Sequence, residues 1–395
     1  MNSFRRFLNL SWLCLALVAC GGGGGPMREH SSSDHPHSGD GRADSGAIGL
    51  DVDERIARTR SQCIALGNEP RPVNFTNDIY QPACLFGERL PDWEDSNGTS
   101  REACLFEPPS DTHPGKLPLV IWLHPSLAGP DLSLAATNVR SQIGTANLSG
   151  DPQKPGFLLL APLGRVIEKF YSFPEDAFAV GWDNWYRQLL PDGGSRQLNG
   201  RSFAQNVDAA AIDHYLDEVI SRGRVDERRI YVMGWSNGGA MGILYALNRR
   251  NIAAAAVYSA PNPFNAFNDP CAQAPVVGSP ANDTELEVFN AGVPIFHVQN
   301  ACDYAGICPN GVFLQQTLAQ NGVTQLQNQI LNTLLGPAEE CRALCGTDPR
   351  ADYAGLDDPL GYLNLGGYSL GVANHTTWPL RWTDEMFAFL REQSH

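Results

Sequence analysis

Ser236 lies in Gly234-Trp235-Ser236-Asn237-Gly238, directly after the apolar run Arg229-Ile230-Tyr231-Val232-Met233 and just before a helical pattern over Met241–Arg250. A serine on a sharp turn from strand to helix presents its hydroxyl for attack on an acyl carbon, and the turn demands small residues on either side. Gly234 and Gly238 meet that demand, and Gly239 and Ala240 let the helix approach the sheet. A second Gly-x-Ser-x-Gly, at Gly367-Tyr368-Ser369-Leu370-Gly371, follows Leu363-Asn364-Leu365-Gly366 rather than a strand and has no helical pattern after it. Ser236 is therefore the expected nucleophile, and Ser369 an ordinary turn serine.

A serine hydroxyl is a poor nucleophile at neutral pH unless a base accepts its proton and an acid orients that base. With the chain order serine, acid, histidine, the base must come after Ser236, which leaves His297, His375 and His395. His297 sits inside the apolar run Val293–Val298, where a core histidine is expected, and His395 ends the chain. His375, in the polar loop Asn374-His375-Thr376-Thr377-Trp378-Pro379 before the last helix, is the expected base. The acid belongs just past the preceding strand, where Asp303 is the first carboxylate; Asp352, Asp357 and Asp358 compete with it. A developing oxyanion also needs donors. Asn237, the residue after the nucleophile, can offer its backbone N–H, and a second should come from His124-Pro125-Ser126, where Pro125 has no N–H and Ser126 does.

These residues need a rigid frame. Leu117–Leu123, Gly156–Ala161, Arg229–Met233, Ala253–Tyr258 and Val293–Val298 are short continuous apolar runs bounded by Pro, Gly or polar residues, the pattern of strands buried on both faces. Between them, Asn206–Arg222 carries Val207, Ala211, Ile212, Tyr215, Leu216, Val219 and Ile220 on one helical face, with Asp208, Asp213, Asp217 and Glu218 placed away from it. Thr383–Arg391 has helical character, and Thr383 suits an N-cap. This alternation predicts an α/β fold with a doubly wound, mostly parallel sheet. Gly193–Ser202 and Gly306–Asn374 read as loop insertions with at most short helical pieces, and 46–116 as a Cys-containing N-terminal extension packed on a core formed by 117–395.

The first residues carry Arg5 and Arg6, an apolar stretch too short to cross a bilayer, and Leu17-Val18-Ala19-Cys20. Residues 1–19 are thus expected to be a signal peptide, and Cys20 a lipidated anchor. Residues 20–45, rich in Gly, Ser and Asp, are expected to be a flexible tether, with His30, His35 and His37 solvated in it rather than holding a metal. Without the signal peptide, 26 basic side chains face 43 acidic ones, a net charge of −17 that argues against nucleic acid as a partner. With Cys14 removed and Cys20 lipidated, Cys63, Cys84, Cys104, Cys271, Cys302, Cys308, Cys341 and Cys345 remain, an even number that reads as disulfides in an exported protein. Connectivity cannot be read from the sequence, although the last four suggest local bridges. No cofactor and no metal site are expected, zinc on those four being the weaker reading.

The stretch Val225-Asp226-Glu227-Arg228-Arg229-Ile230-Tyr231-Val232-Met233-Gly234-Trp235-Ser236-Asn237-Gly238-Gly239-Ala240-Met241 resembles the nucleophile segment of the polyhydroxybutyrate depolymerase and feruloyl esterase-like branch of the α/β hydrolases. Asn206-Val207-Asp208, Val293 to Asp303, and His375-Thr376-Thr377-Trp378-Pro379 resemble that branch's upstream helix, acid strand and His-Thr-Trp-Pro loop. The chain departs from the pattern at His124-Pro125, where the family has His-Gly, at the extra Thr after His375, and at Asp303, which lies between Cys302 and Cys308. The resemblance covers roughly 115–390. It implies an α/β-hydrolase fold, with ester hydrolysis through an acyl-enzyme on hydroxyalkanoate or feruloyl-type esters, whether small molecules or polymer chains. It also places Gly181-Trp182-Asp183-Asn184-Trp185-Tyr186 near the cleft, so that Trp182, Trp185 and Trp235 could stack on substrate or equally be core aromatics. Alternative readings are a serine peptidase of the same fold or a non-catalytic surface-binding lipoprotein. Gly21 after Cys20 resembles outer-membrane sorting, which points to the periplasm, outer membrane or cell surface.

Overall fold

The computed structural model describes residues 82–95, 100–126, 128–167, 179–182, 196–198, 201–203, 207–260, 290–300, 303, 312–320, 322–331, 334–335 and 373–395. The expected anchor Cys20, the tether, Cys63, Cys271, Cys302, Cys308, Cys341, Cys345, the acids Asp352, Asp357 and Asp358, Trp185, and the second Gly-x-Ser-x-Gly all lie outside these residues.

Among the described residues, eight strands form the central sheet: β1 (Glu88–Arg89), β2 (Ala103–Phe106), β3 (Leu117–Leu123), β4 (Leu158–Pro162), β5 (Val225–Trp235), β6 (Ala254–Tyr258), β7 (Ile295–Asn300) and β8 (Leu326–Leu331). They lie in the order β1-β2-β4-β3-β5-β6-β7-β8. The pairs β1–β2 and β2–β4 are antiparallel, and the remaining pairs from β4 to β8 are parallel. β3 shows why its sequence makes a central strand. Leu117, Leu119, Ile121 and Leu123 enter one apolar cluster while Val120 and Trp122 enter the other, so both faces are buried with a period of two. Pro118 has no N–H to give to a ladder, and it is opposite this position that the β3–β5 register shifts, between Val225 and Ile230.

Helices cover both faces: α1 (Pro130–Ala136), α2 (Val207–Ser221), α3 (Asn237–Leu247), α4 (Val312–Gln320) and α5 (Thr383–Arg391). Ile212, Leu216 and Val219 of α2 share one cluster with Leu314 and Leu318 of α4, whereas Leu134 of α1 and Met386, Phe387 and Leu390 of α5 pack on the opposite side. This is the doubly wound arrangement, and with its strand order it is the α/β-hydrolase fold.

Several expectations need correction. Glu88–Arg89 and Ala103–Phe106 are strands of the sheet itself rather than a layer on its outside, while Trp93–Glu94 pairs with Ser100–Arg101 in a separate two-stranded sheet; the Cys84–Cys104 disulfide ties the approach to β1 onto β2, and Asp131 of α1 accepts from the amides of Cys84 and Leu85. The expected loop insertion at Gly193–Ser202 includes strand Arg196–Leu198, which pairs antiparallel with Arg201–Phe203, and the one expected at Gly306–Asn374 includes β8, which pairs parallel with β7 at the edge of the sheet. Thr383 is the first residue of α5 rather than its cap, because its hydroxyl is engaged sideways, donating to Asn138 Oδ1 and accepting from Trp378 Nε1.

Asp208 also differs from the helical-face reading, for it is fully buried. Its carboxylate meets the guanidinium of Arg101 at 2.6 Å and lies 3.7 Å from that of Arg165, while Arg101 also reaches Asp95 at 3.1 Å. Charges so far from water persist only because they are paired. Replacing Asp208 with Ala removes a carboxylate from two buried guanidiniums, and the expected loss is about 3–5 kcal/mol, read as a lowered urea midpoint. A variant as stable as the wild type would contradict this account of the network.

Candidate active site

Ser236 follows β5 and opens α3 with φ 55° and ψ −124°, a conformation that L residues adopt only when the surroundings impose it. Its N–H donates to Tyr258 O at 2.9 Å and its carbonyl accepts from Ala240 N at 3.0 Å, which fixes the turn between β6 and the helix. The glycines act by closeness. A Cβ on Gly234 would stand 2.4 Å from Gly238 O, and one on Gly238 would stand 2.2 Å from Leu123 O and 2.4 Å from His124 O. The start of α3 therefore sits directly against the end of β3.

Ser236 Oγ lies 2.7 Å from His375 Nε2, and His375 Nδ1 lies 2.8 Å from Asp303 Oδ1. An ionised carboxylate only accepts, so Nδ1 carries the proton and Nε2 is free to accept from the serine hydroxyl. Asp303 and His375 are both buried, and Ser236 is 9% exposed, so the relay is shielded from bulk water while its nucleophile keeps an opening. The structure thus brings together Ser236, Asp303 and His375 from the ends of β5 and β7 and the loop before α5.

That loop is held from three sides. Trp235 Nε1 donates to His375 O at 2.9 Å, and the Tyr258 hydroxyl donates to Asn374 O at 2.9 Å. The Asn374 side chain accepts from Asn300 Nδ2 at 2.9 Å and Leu334 N at 2.7 Å, and donates to Leu335 O at 3.0 Å. Sequence reasoning missed Asn374 although it adjoins His375, because an asparagine in a polar loop looks like any turn residue. It missed Ser259 as well. This buried residue after β6 has φ 53°, and its hydroxyl donates to Asp303 Oδ2.

On the other side of the nucleophile, Asn237 heads α3, where amides of the first turn have no carbonyl within the helix to bond. Its side chain accepts from Trp182 N at 2.6 Å and donates to Trp182 O at 3.2 Å. Trp182 Nε1 donates to His124 O at 2.9 Å, His124 Nε2 accepts from Gly164 N at 2.9 Å, and His124 Nδ1 donates to Pro125 O at 2.8 Å. These bonds tie the loop bearing Ser126 to the start of α3. Ser126 stands two residues beyond His124, whose carbonyl a Cβ at Gly238 would meet at 2.4 Å.

Trp182 and Trp235 are core aromatics and offer no stacking surface. They are 0% and 1% exposed, and the indole N–H of each is spent on a backbone carbonyl of a loop that flanks the nucleophile. Trp235 packs edge-on to Trp378, which does the same with Tyr258 and Trp122. A tryptophan beside a nucleophile carries no mark in the sequence that says which way it faces.

Burial pushes His124 down to about 4 and His297 down to about 3. Both are neutral in the fold, while in the unfolded chain they take protons near the ordinary value of 6.5. Their contribution is therefore complete above pH 6.5 and is lost as pH falls, at about 1.4 kcal/mol per pH unit for each histidine. For His124 the loss levels off below about 4, and for His297 below about 3. Urea midpoints from pH 7 to 4.5 are expected to fall, and less steeply in a His297→Asn variant; equal slopes would contradict the assignment.

The fold is that of the α/β hydrolases, and its site sets a serine, a histidine and an aspartate in hydrogen-bonded line. The model of the prolyl oligopeptidase family matches residues 190–308, less than a third of the chain, a stretch that contains both Ser236 and Asp303. Among solved structures, a thermostable esterase is similar at 16% identity and TM-score 0.45, over 79% of this chain and 64% of its own. A ferulic acid esterase is similar at 15% identity and TM-score 0.40, over 67% of this chain and 98% of its own. An acylaminoacyl peptidase from Pyrococcus horikoshii is similar at 12% identity and TM-score 0.37, over 62% of this chain and 36% of its own. This chain thus spans less than two thirds of the thermostable esterase and of the peptidase. No curated protein sequence matches it.

Proposed function

We propose that the chain hydrolyses carboxylic esters through an acyl-enzyme on Ser236, with His375 as general base and then acid, and Asp303 orienting it. The observation that carries this reading is the unbroken relay from Ser236 Oγ through both nitrogens of His375 to Asp303. In acylation the Ser236 oxygen bonds to the ester carbon while its proton passes to His375 Nε2. The backbone N–H groups of Asn237 and Ser126 receive the oxyanion. Collapse breaks the bond to the alcohol, which leaves with the proton from His375. Water then repeats the sequence in reverse, freeing the acid.

Hydroxyalkanoate or feruloyl-type esters are the substrate class, resting on the resemblance around Ser236 and His375. Export and anchoring through Cys20 belong to the same proposal and rest on the first twenty residues.

A serine peptidase is the second reading, favoured by the family match over residues 190–308. Matched nitrophenyl esters and peptide nitroanilides with the same acyl groups separate the two. Under our reading the esters turn over and the anilides stay near background, with hydroxybutyrate oligomers and methyl ferulate following as natural-type substrates. Comparable cleavage of the anilides would overturn the esterase reading in favour of the peptidase.

A further inference from the structure

Ser259 stands apart from the other residues around the acid. It is fully buried, it directly follows β6, and it holds φ 53°, a left-handed backbone that costs a non-glycine residue about 1 kcal/mol or more. Nothing in a strand end requires this. Ala254–Tyr258 could run on into an ordinary turn, and glycine would take that conformation without strain. The residue present is one that adds a hydroxyl, and that hydroxyl donates to Asp303 Oδ2 while Asp303 Oδ1 faces His375 Nδ1.

Between described residues, each carboxylate oxygen thus has its own bond. A carboxylate can rotate about its Cβ–Cγ bond and let its charge swing away from the imidazole; a donor on Oδ2 opposes that rotation. Ser259 is itself tied to the acid's strand, since its N–H donates to Val298 O at 3.0 Å, and the Asp303 N–H donates to Asn300 O at 3.0 Å. The donor and the acceptor are therefore both referenced to β7.

We propose that Ser259 is a positioning residue for catalysis, which holds the Asp303 carboxylate in the orientation that supports His375. The proposal rests on Ser236, His375 and Asp303 acting as described above. It adds that the strained backbone is kept for the hydroxyl it aims.

The test uses Ser259→Gly, Ser259→Ala and Ser259→Cys beside Ser236→Ala, assayed on a nitrophenyl ester over a range of pH. Glycine removes the hydroxyl and relieves the strain, alanine removes the hydroxyl and keeps the strain, and cysteine keeps the size with a weaker donor. The expected kcat falls roughly ten- to a hundredfold for Gly and Ala and less for Cys, with KM unchanged. The acid limb of kcat/KM is expected to move to lower pH, because an imidazolium less well faced by Asp303 loses its proton more readily. A merely structural serine would change thermal stability without moving that limb.

A well-folded Gly variant with wild-type kcat and an unmoved acid limb overturns the proposal. If Gly and Ala do not fold, the near-isosteric Cys variant decides: wild-type kcat and limb overturn the proposal, and a reduced kcat with a shifted limb supports it. Full activity in Ser236→Ala would instead overturn the underlying triad reading, an outcome distinct from loss of activity in Ser236→Ala with unaffected Ser259 variants.

Discussion

Ser236→Ala is expected to reduce ester hydrolysis by on the order of 10⁴–10⁶-fold while leaving the fold and stability close to wild type. The size follows from the relay. Without Oγ there is nothing for His375 Nε2 to activate at 2.7 Å, and the donors around the oxyanion are left to act on a water that no residue positions. The fold should survive because alanine keeps the Cβ that the turn already accommodates, and the turn is fixed by backbone bonds to Tyr258 and Ala240 rather than by the hydroxyl. Steady-state rates with a nitrophenyl ester, together with a thermal melt, check both halves. Ser369→Ala, in the other Gly-x-Ser-x-Gly, is expected to match wild type. Residual activity above about a hundredth in Ser236→Ala would refute the nucleophile assignment.

Gly238→Ala is expected to be among the most damaging single-methyl changes at the described glycines. Its Cβ would lie 2.2 Å from Leu123 O and 2.4 Å from His124 O, both backbone atoms that cannot rotate aside. Relief requires the start of α3 to move off the end of β3 by about 1 Å, and displacements of that size at a reacting centre cost on the order of a hundredfold in rate. The same shift would disturb Asn237 and its two bonds to Trp182, so activity and stability should fall together. Gly223→Ala provides the contrast. That residue has φ 80°, but a Cβ added there would meet nothing within 4 Å, so the expected cost is about 1 kcal/mol from backbone strain, with kcat unchanged. Urea unfolding and ester kinetics on both variants test the comparison, and a Gly238→Ala enzyme with wild-type kcat would show that the close approach is not needed.

Much of the fold was legible because the strands of a doubly wound sheet are buried on both faces and so spell themselves as unbroken apolar runs. β3 was read to the residue, and β4, β5, β6 and β7 to within a few. The start of the sheet was not. β1 has two residues, and β2, Ala-Cys-Leu-Phe, lies among polar and proline-rich neighbours, so neither offers a pattern long enough to recognise. β2 is placed by pairing with β4, more than fifty residues on, and β1 by pairing with β2 beside the Cys84–Cys104 bridge.

The site divides in the same way. Which residue types could do the chemistry, and the order in which they must occur, follow from the sequence alone. The Gly-x-Ser-x-Gly is tied to a local turn, and the position of Asp303 and His375 after their elements is a matter of chain order. Tertiary structure alone decided what surrounds them: that Trp182 and Trp235 face the core and hold loops, that Asp208 sits among buried guanidiniums, and that Ser259 donates to the acid. Periodicity and motif spacing report what a residue does with its near neighbours. The direction in which a lone polar or aromatic side chain points is set by partners 44 to 140 residues away, such as Asp303 for Ser259 and His375 for Trp235, and that information exists only once the chain has folded.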